Sequence, residues 1–129
     1  MIFYAFEDTI KKPAMITPWS IVHFLAGVVL YCYAKYLCKG VSQLNAVLIT
    51  LFIHTVYEIK DLMLYLGVTS KNNYFTNNSL TNSIGDTIFA LLGALAVIMI
   101  SPKLNHTFLF TVTVIWIFLA FICKYYRMG

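Results

Sequence analysis

Four long apolar runs, separated by short polar stretches, make up most of this chain of 129 residues. The runs cover residues 19–37, 44–66, 80–100 and 104–123. A helix needs roughly 20 apolar residues to cross the hydrocarbon core of a bilayer, and each run has about that length. The runs are continuous rather than alternating, which is typical of membrane helices and not of transmembrane β-strands. The pattern therefore predicts an all-α integral membrane protein, a four-helix bundle with one helix for each run.

Helix-breaking residues lie where this interpretation needs turns. Pro18 precedes the first run, at a position where its missing N–H costs no hydrogen bond. An asparagine-rich stretch at 71–79 separates the second run from the third, and a serine-proline-lysine turn at 101–103 leads to the fourth. We expect residues 19–129 to form a single four-helix transmembrane domain, and residues 1–18 to form an interfacial or flexible N-terminal segment.

The composition agrees with a membrane location. Hydrophobic residues make up 60% of the chain and charged residues 11%, whereas soluble domains have about 25% charged residues. Such a chain has too few charges to cover a soluble surface, which excludes an ordinary soluble enzyme and a disordered protein. The three cysteines have no paired spacing and predict neither a disulfide framework nor a zinc knuckle. The sequence also lacks the glycine-rich phosphate loops, the HExxH zinc motif and the GxSxG nucleophile motif.

Most charged residues mark the ends of the runs. With four helices, both termini lie on the same side of the membrane. Basic residues concentrate on the cytosolic side of membrane proteins, so we expect both termini in the cytosol. Membrane lipids are the expected partners, together with a second copy of the chain or another membrane protein, whereas the dispersed lysines do not predict nucleic-acid binding. The terminal side carries five basic residues and the other side three: Lys11, Lys12, Lys71, Lys124 and Arg127 against Lys35, Lys39 and Lys103.

Ionisable residues also occur inside three of the runs. In the second run, His54, Glu58 and Asp61 follow one another at intervals of four and three, so they share one helix face. His23 in the first run and Asp86 in the third lie at a similar depth, because those runs begin where the second run ends. Isolated charges inside a bilayer cost roughly 2.5–3.5 kcal/mol and normally face a partner or water. We therefore predict that these five side chains face one another inside the bundle.

This constellation predicts a functional site near one leaflet. Two imidazoles and three carboxylates are ligands that zinc, manganese or iron accept, which makes a divalent metal ion the candidate cofactor. A histidine oriented by a carboxylate can also act as a general base, for example on a lipid headgroup. Asn82 and Ser83 on the third helix are predicted to contact a bound ligand. The predicted catalytic and metal-ligating residues are His23, His54, Glu58, Asp61 and Asp86.

Two other interpretations remain open at this stage. The polar residues can simply hold the helices together, as in a structural protein of a virion or organelle membrane. A composition rich in Asn, Lys, Ile, Tyr and Phe indicates an AT-rich genome such as that of a protist or a large DNA virus. In a virus, a structural role in the virion membrane is an open alternative. Alternatively, chains of Asp, Glu and His serve as proton or cation paths in transporters.

The polar segments resemble two groups of membrane proteins. His23, Glu58 and the stretch Asn82-Ser83-Ile84-Gly85-Asp86 resemble small four-helix bacterial membrane proteins of uncharacterised function. These carry a histidine in the first helix, a glutamate in the second and Asn-Ser-x-x-Asp at the start of the third. VanZ-like proteins are a more distant resemblance, through His23-Phe24 and a third helix rich in Asn, Gly and Leu, although the arginine expected before that helix is absent. The resemblance covers about residues 19–102 and implies a site shared by three helices, without implying a reaction.

Overall fold

Four helices account for most of the structure. The computed structural model describes residues 2–6, 14–65 and 80–126, with residues 2 and 60–65 described by their backbone alone. The prediction of an all-α four-helix chain is confirmed, and the first and third helices have the bounds that their apolar runs predict. The helices are α1 (Trp19–Leu37), α2 (Gln43–Tyr65), α3 (Leu80–Ile100) and α4 (His106–Tyr125).

Helix α4 begins two residues later than its apolar run. Asn105 has an extended backbone conformation, and its side-chain oxygen accepts a hydrogen bond of 2.8 Å from the backbone N–H of Phe108. This is the usual arrangement of a helix N-cap, which satisfies one of the donors that the first turn leaves unpaired. Leu104 therefore belongs to the connection and not to the helix.

Three of the described helices, α1, α3 and α4, are long and apolar enough to cross a membrane. Helix α2 has 23 residues, and its described side chains form an apolar stretch over Gln43–Ile59. Large apolar side chains also cover the outside of the bundle: on α4, Phe110 and Phe121 are each 71% exposed. An apolar surface of this extent fits lipid tails better than water. The helices and their surface thus have the character of an integral membrane protein.

Helices α1 and α3 approach each other closely at two glycines. A Cβ atom on Gly27 would overlap the backbone carbonyl of Ala90, and one on Gly93 would overlap the carbonyl oxygen of Phe24. Small residues at such positions let the backbones of membrane helices pack in direct contact. The two glycines therefore fix the distance between α1 and α3, the helices that carry His23 and Asp86.

The interior of the bundle has an apolar half and a polar half. The polar half lies at the beginning of α1 and α3 and contains the buried residues Ser20, His23, Asn82 and Asp86. The apolar half lies toward the end of α1. It is formed by Tyr31, Cys32, Ala34, Ala46, Ala94, Val97 and Leu109.

A short parallel ribbon precedes the first helix. Strand β1 (Ile2–Tyr4) pairs with strand β2 (Ala14–Ile16), with Ile2 opposite Ala14 and Tyr4 opposite Ile16. Three residues are too few to show the alternation that marks a strand in a sequence, so the pattern does not predict this ribbon. The second strand packs on α3, where a Cβ on Gly85 would overlap the carbonyl oxygen of Met15. The ribbon therefore covers the polar half of the bundle.

Candidate metal centre

The polar half brings together ionisable side chains from three helices. Helix α1 contributes His23, α2 contributes His54 and Glu58, and α3 contributes Asp86. All four are buried: their exposed fractions are 3%, 3%, 6% and 0%. His54 and Glu58 share a face of α2 because they are four residues apart. Four of the five predicted site residues are thus neighbours. The fifth, Asp61, belongs to helix α2, but its side chain lies outside the described part of the chain.

Three of these side chains form a triangle of donor atoms, which we call the ligand triangle. The Nδ1 atom of His23 lies 2.8 Å from Nε2 of His54. The Oε1 atom of Glu58 lies 3.5 Å from the first of these nitrogens and 3.6 Å from the second. Each residue therefore directs one possible metal ligand toward a common point, and the cluster can hold a metal ion.

The ligand triangle has nearly the size of a zinc coordination sphere. Zinc binds nitrogen and oxygen at about 2.0–2.2 Å, so ligands in tetrahedral positions stand about 3.3–3.6 Å apart. The two edges to Glu58 agree with this range, while the His23–His54 edge of 2.8 Å is shorter than its lower limit by about 0.5 Å. The point in the plane of the triangle that is equidistant from the three atoms lies about 1.9 Å from each. Binding of an ion would require the two imidazoles to separate slightly.

Asp86 lies on the other edge of the His23 ring. Its Oδ2 atom is 3.1 Å from Nε2 of His23, the nitrogen that does not face the ligand triangle. This distance suits an ion pair, although the angle does not meet the geometry of a hydrogen bond. Carboxylates in this position orient metal-binding histidines and fix their tautomer in many zinc proteins. The structure therefore separates the roles of the acidic residues: Glu58 can ligate an ion, and Asp86 can position His23.

The same contacts bring three proton-exchanging groups together: a hydrogen bond joins the two histidines, and a contact of 3.1 Å joins His23 to Asp86. If Nε2 of His23 carries a proton toward Asp86, then Nδ1 of a neutral His23 is an acceptor, and His54 must donate its Nε2 proton to it. Nδ1 of His54 is buried and has no hydrogen-bond partner among the described residues. Binding of a metal at Nε2 of His54 would move its proton to Nδ1. The tautomer of His54 therefore distinguishes the metal-bound state from the hydrogen-bonded state.

The two residues predicted to contact a ligand occupy different surroundings. The Asn82 side chain is buried and donates a hydrogen bond of 3.0 Å from Nδ2 to the carbonyl oxygen of Ala14. Asn82 thus joins α3 to strand β2. The hydroxyl of Ser83 is also buried, with no hydrogen-bond partner in the part of the chain that the structure describes.

Aromatic rings flank His23, and the sequence did not assign them to the site. The ring of Trp19 lies 6.2 Å from that of His23 in an edge-on arrangement, and the ring of Tyr57 lies 6.4 Å away. The spacing of Trp19 and His23, four residues on one helix, already places them on one face. For Tyr57 the sequence offers only its position beside Glu58, and the contact depends on how α1 and α2 pack.

Comparisons of the chain with protein families, with curated proteins and with solved structures found no match.

Proposed function

We propose that this protein binds a divalent metal ion inside the membrane, with zinc as the best-fitting ion. His23, His54 and Glu58 would be the ligands, and Asp86 would orient His23. The observation that carries the proposal is the ligand triangle, three buried donor atoms from two helices within 3.6 Å of one another. Imidazole and carboxylate together suit zinc, manganese and iron, and the size of the triangle favours the short bonds of zinc.

The charge of the site supports the same proposal. Two buried carboxylates, those of Glu58 and Asp86, lie beside the two buried imidazoles. The charge of a buried carboxylate must be compensated by a basic partner, by hydrogen bonds or by a bound cation. A single divalent ion balances both carboxylates and leaves the histidines neutral, which is the form in which they ligate metals.

Metal content is the direct test. The full chain is purified in detergent, stripped with a chelator, reloaded with Zn²⁺ and analysed for bound metal after desalting. We expect one zinc per chain in the native sequence and none in His54→Gln. The matched control is His106→Gln, because His106 is exposed, lies at the start of α4 and contacts Tyr36 instead of the cluster. Equal zinc content in the native chain and His54→Gln, or no zinc in the native chain, would refute the proposal.

Three protein ligands support a catalytic use of the metal. Structural zinc sites usually have four protein ligands, whereas catalytic sites have three and leave a position for water or substrate. A lipid headgroup is the substrate class that an intramembrane site near one leaflet would meet. Replacing the bound zinc by Co²⁺ tests for this open position. Added azide should change the visible absorption spectrum of the bound cobalt only if it can reach the metal. A spectrum unaffected by azide would indicate a closed, structural site.

Proton transfer is the second candidate function. The contacts of 2.8 Å between the histidines and 3.1 Å between His23 and Asp86 connect three helices through groups that exchange protons. Chains of Asp, Glu and His carry protons in membrane transporters. Vesicles with an internal pH dye test this function: a proton flux that Asp86→Asn abolishes would support it, and no flux above that of empty vesicles would exclude it.

A further inference from the structure

A cavity of about 170 Å³ lies at the end of the bundle opposite the candidate metal centre. Its lining includes Tyr31 and Lys35 from α1, and Lys35 follows His23 by twelve residues, or about 18 Å along the helix. The connection 38–42 and the connection 101–105 meet at this end. The cavity is therefore separate from the ligand triangle and lies at the depth of the headgroups of the other leaflet.

The lining has an apolar floor and a polar rim. Val97 and Leu104 belong to the apolar part, and Val97 is only 6% exposed. Lys35, Gln43 and Ser101 supply polar groups. A lipid headgroup with the first atoms of its acyl chains needs this combination of polar and apolar contacts at the membrane interface.

Lys35 is held at the cavity by its neighbours. Its side chain is half-buried, and Nζ donates a hydrogen bond of 2.7 Å to the carbonyl oxygen of Val41. An ammonium group has three donors, so this bond leaves others for a ligand. The bond also fixes the position of the charge, which reduces the entropy that a flexible lysine would lose on binding.

The charge of this end is uniformly positive. The sequence contains no aspartate or glutamate in residues 24–57 or 87–129, the two stretches that build this end of the bundle. Lys39 and Lys103 lie in the two connections, beside the residues that line the cavity. No carboxylate from these stretches competes with an anionic ligand for Lys35. Basic pockets between membrane helices bind anionic headgroups on the cytoplasmic side of membranes, so the proposal places this end in the cytosol, the reverse of the orientation that the count of basic residues predicts.

From these observations we propose that the cavity binds the headgroup of an anionic glycerophospholipid, through its phosphate at Lys35 and its glycerol against the apolar floor. The chemistry recognised is a phosphodiester with a net negative charge. This site goes beyond the proposed metal function and does not depend on it.

The test compares lipid binding to two variants that add the same charge. Gln43→Glu places a carboxylate on the rim of the cavity, and Asn45→Asp places one in the same helical turn outside the lining. Both residues are exposed and lie at the beginning of α2, where a negative charge favours the helix, so both variants should fold. The full chain in detergent is titrated with phosphatidylglycerol or phosphatidylcholine and bound lipid is counted by native mass spectrometry. Helix content is checked by circular dichroism.

We expect phosphatidylglycerol to bind in preference to phosphatidylcholine, and Gln43→Glu to weaken that binding by about tenfold, while Asn45→Asp changes it little. Lys35→Gln should also weaken it. Equal binding of the two lipids, or equal effects of the two acidic variants, would overturn the proposal. Inorganic phosphate is the competitor: if millimolar phosphate displaces the lipid, the site recognises a free anion, and the lipid assignment is wrong. Zinc content of each variant is measured in parallel and should not change.

Discussion

The positions of the two acidic side chains around His23 lead to the sharpest prediction. Glu58 belongs to the ligand triangle, whereas Asp86 contacts the opposite edge of the His23 ring at 3.1 Å. A metal bound at Nδ1 of His23 would lie more than about 5 Å from Asp86, well beyond the 2.0–2.2 Å of a zinc–oxygen bond. Replacing each acid by its amide keeps the shape of the side chain but should therefore have different consequences for metal affinity.

For Asp86→Asn we expect the zinc affinity to fall about 10–100-fold, the usual cost of losing an outer partner of a metal-bound histidine. This corresponds to about 1.4–2.7 kcal/mol of binding free energy. Glu58→Gln removes one of three ligands and the anionic charge next to the ion, so its loss should exceed about 100-fold. In the double variant, the further loss of zinc affinity beyond that of Glu58→Gln should not exceed the loss caused by Asp86→Asn alone. The reason is that Asp86 acts only through His23.

The assay is a competition for Zn²⁺ between the purified chain in detergent and a chromophoric chelator of known affinity. Thermal unfolding without metal separates an effect on binding from an effect on folding, and zinc should raise the midpoint of the native chain more than that of either variant. An equal loss for Asp86→Asn and Glu58→Gln would mean that Asp86 ligates the ion directly. Unchanged affinity in both variants would show that zinc binds elsewhere.

Three further predictions concern the parts of the fold that position the site. Gly27→Ala inserts a methyl group against the carbonyl of Ala90 and should lower the free energy of unfolding by about 1–3 kcal/mol, measured by denaturation in detergent; unchanged stability would mean that α1 and α3 are farther apart. Asn82→Leu removes the hydrogen bond to Ala14 and should cost about 0.5–1.5 kcal/mol and increase protease cleavage before α1; an unaltered cleavage rate would contradict this attachment of the ribbon. Asn105→Ala removes the cap of α4 and should cost about 1 kcal/mol, whereas Asn105→Asp should retain most of the stability.

A purely structural role for the polar half makes a different prediction from the metal centre. A packing network is satisfied by hydrogen bonds alone, and the 2.8 Å contact between the histidines is one such bond. Under that interpretation each amide variant would shift the midpoint of thermal unfolding by the same amount in the presence and in the absence of zinc. The metal proposal requires the difference between variants to appear in the presence of zinc.

Hydrophobic patterning alone predicted the architecture. The bounds of α1 and α3 follow from the sequence because the length of an apolar run and its polar ends are local properties, and the bilayer demands a fixed helix length. The same local rule placed His54 and Glu58 on one face of α2. It could not find the ribbon, since the pairing of β1 with β2 joins residues twelve positions apart through strands of only three residues.

The sequence by itself determined that ionisable groups from three helices lie in one layer of the helix bundle, because helix rise and connectivity set their height along it. Only the tertiary structure decided which of them meet. The rotation of each helix about its axis depends on packing, here on the close contact of Gly27 and Gly93 with the backbone of the neighbouring helix. The packing of the three helices places Glu58 in the ligand triangle and Asp86 behind His23, and so separates two acidic residues that the sequence treated as equivalent.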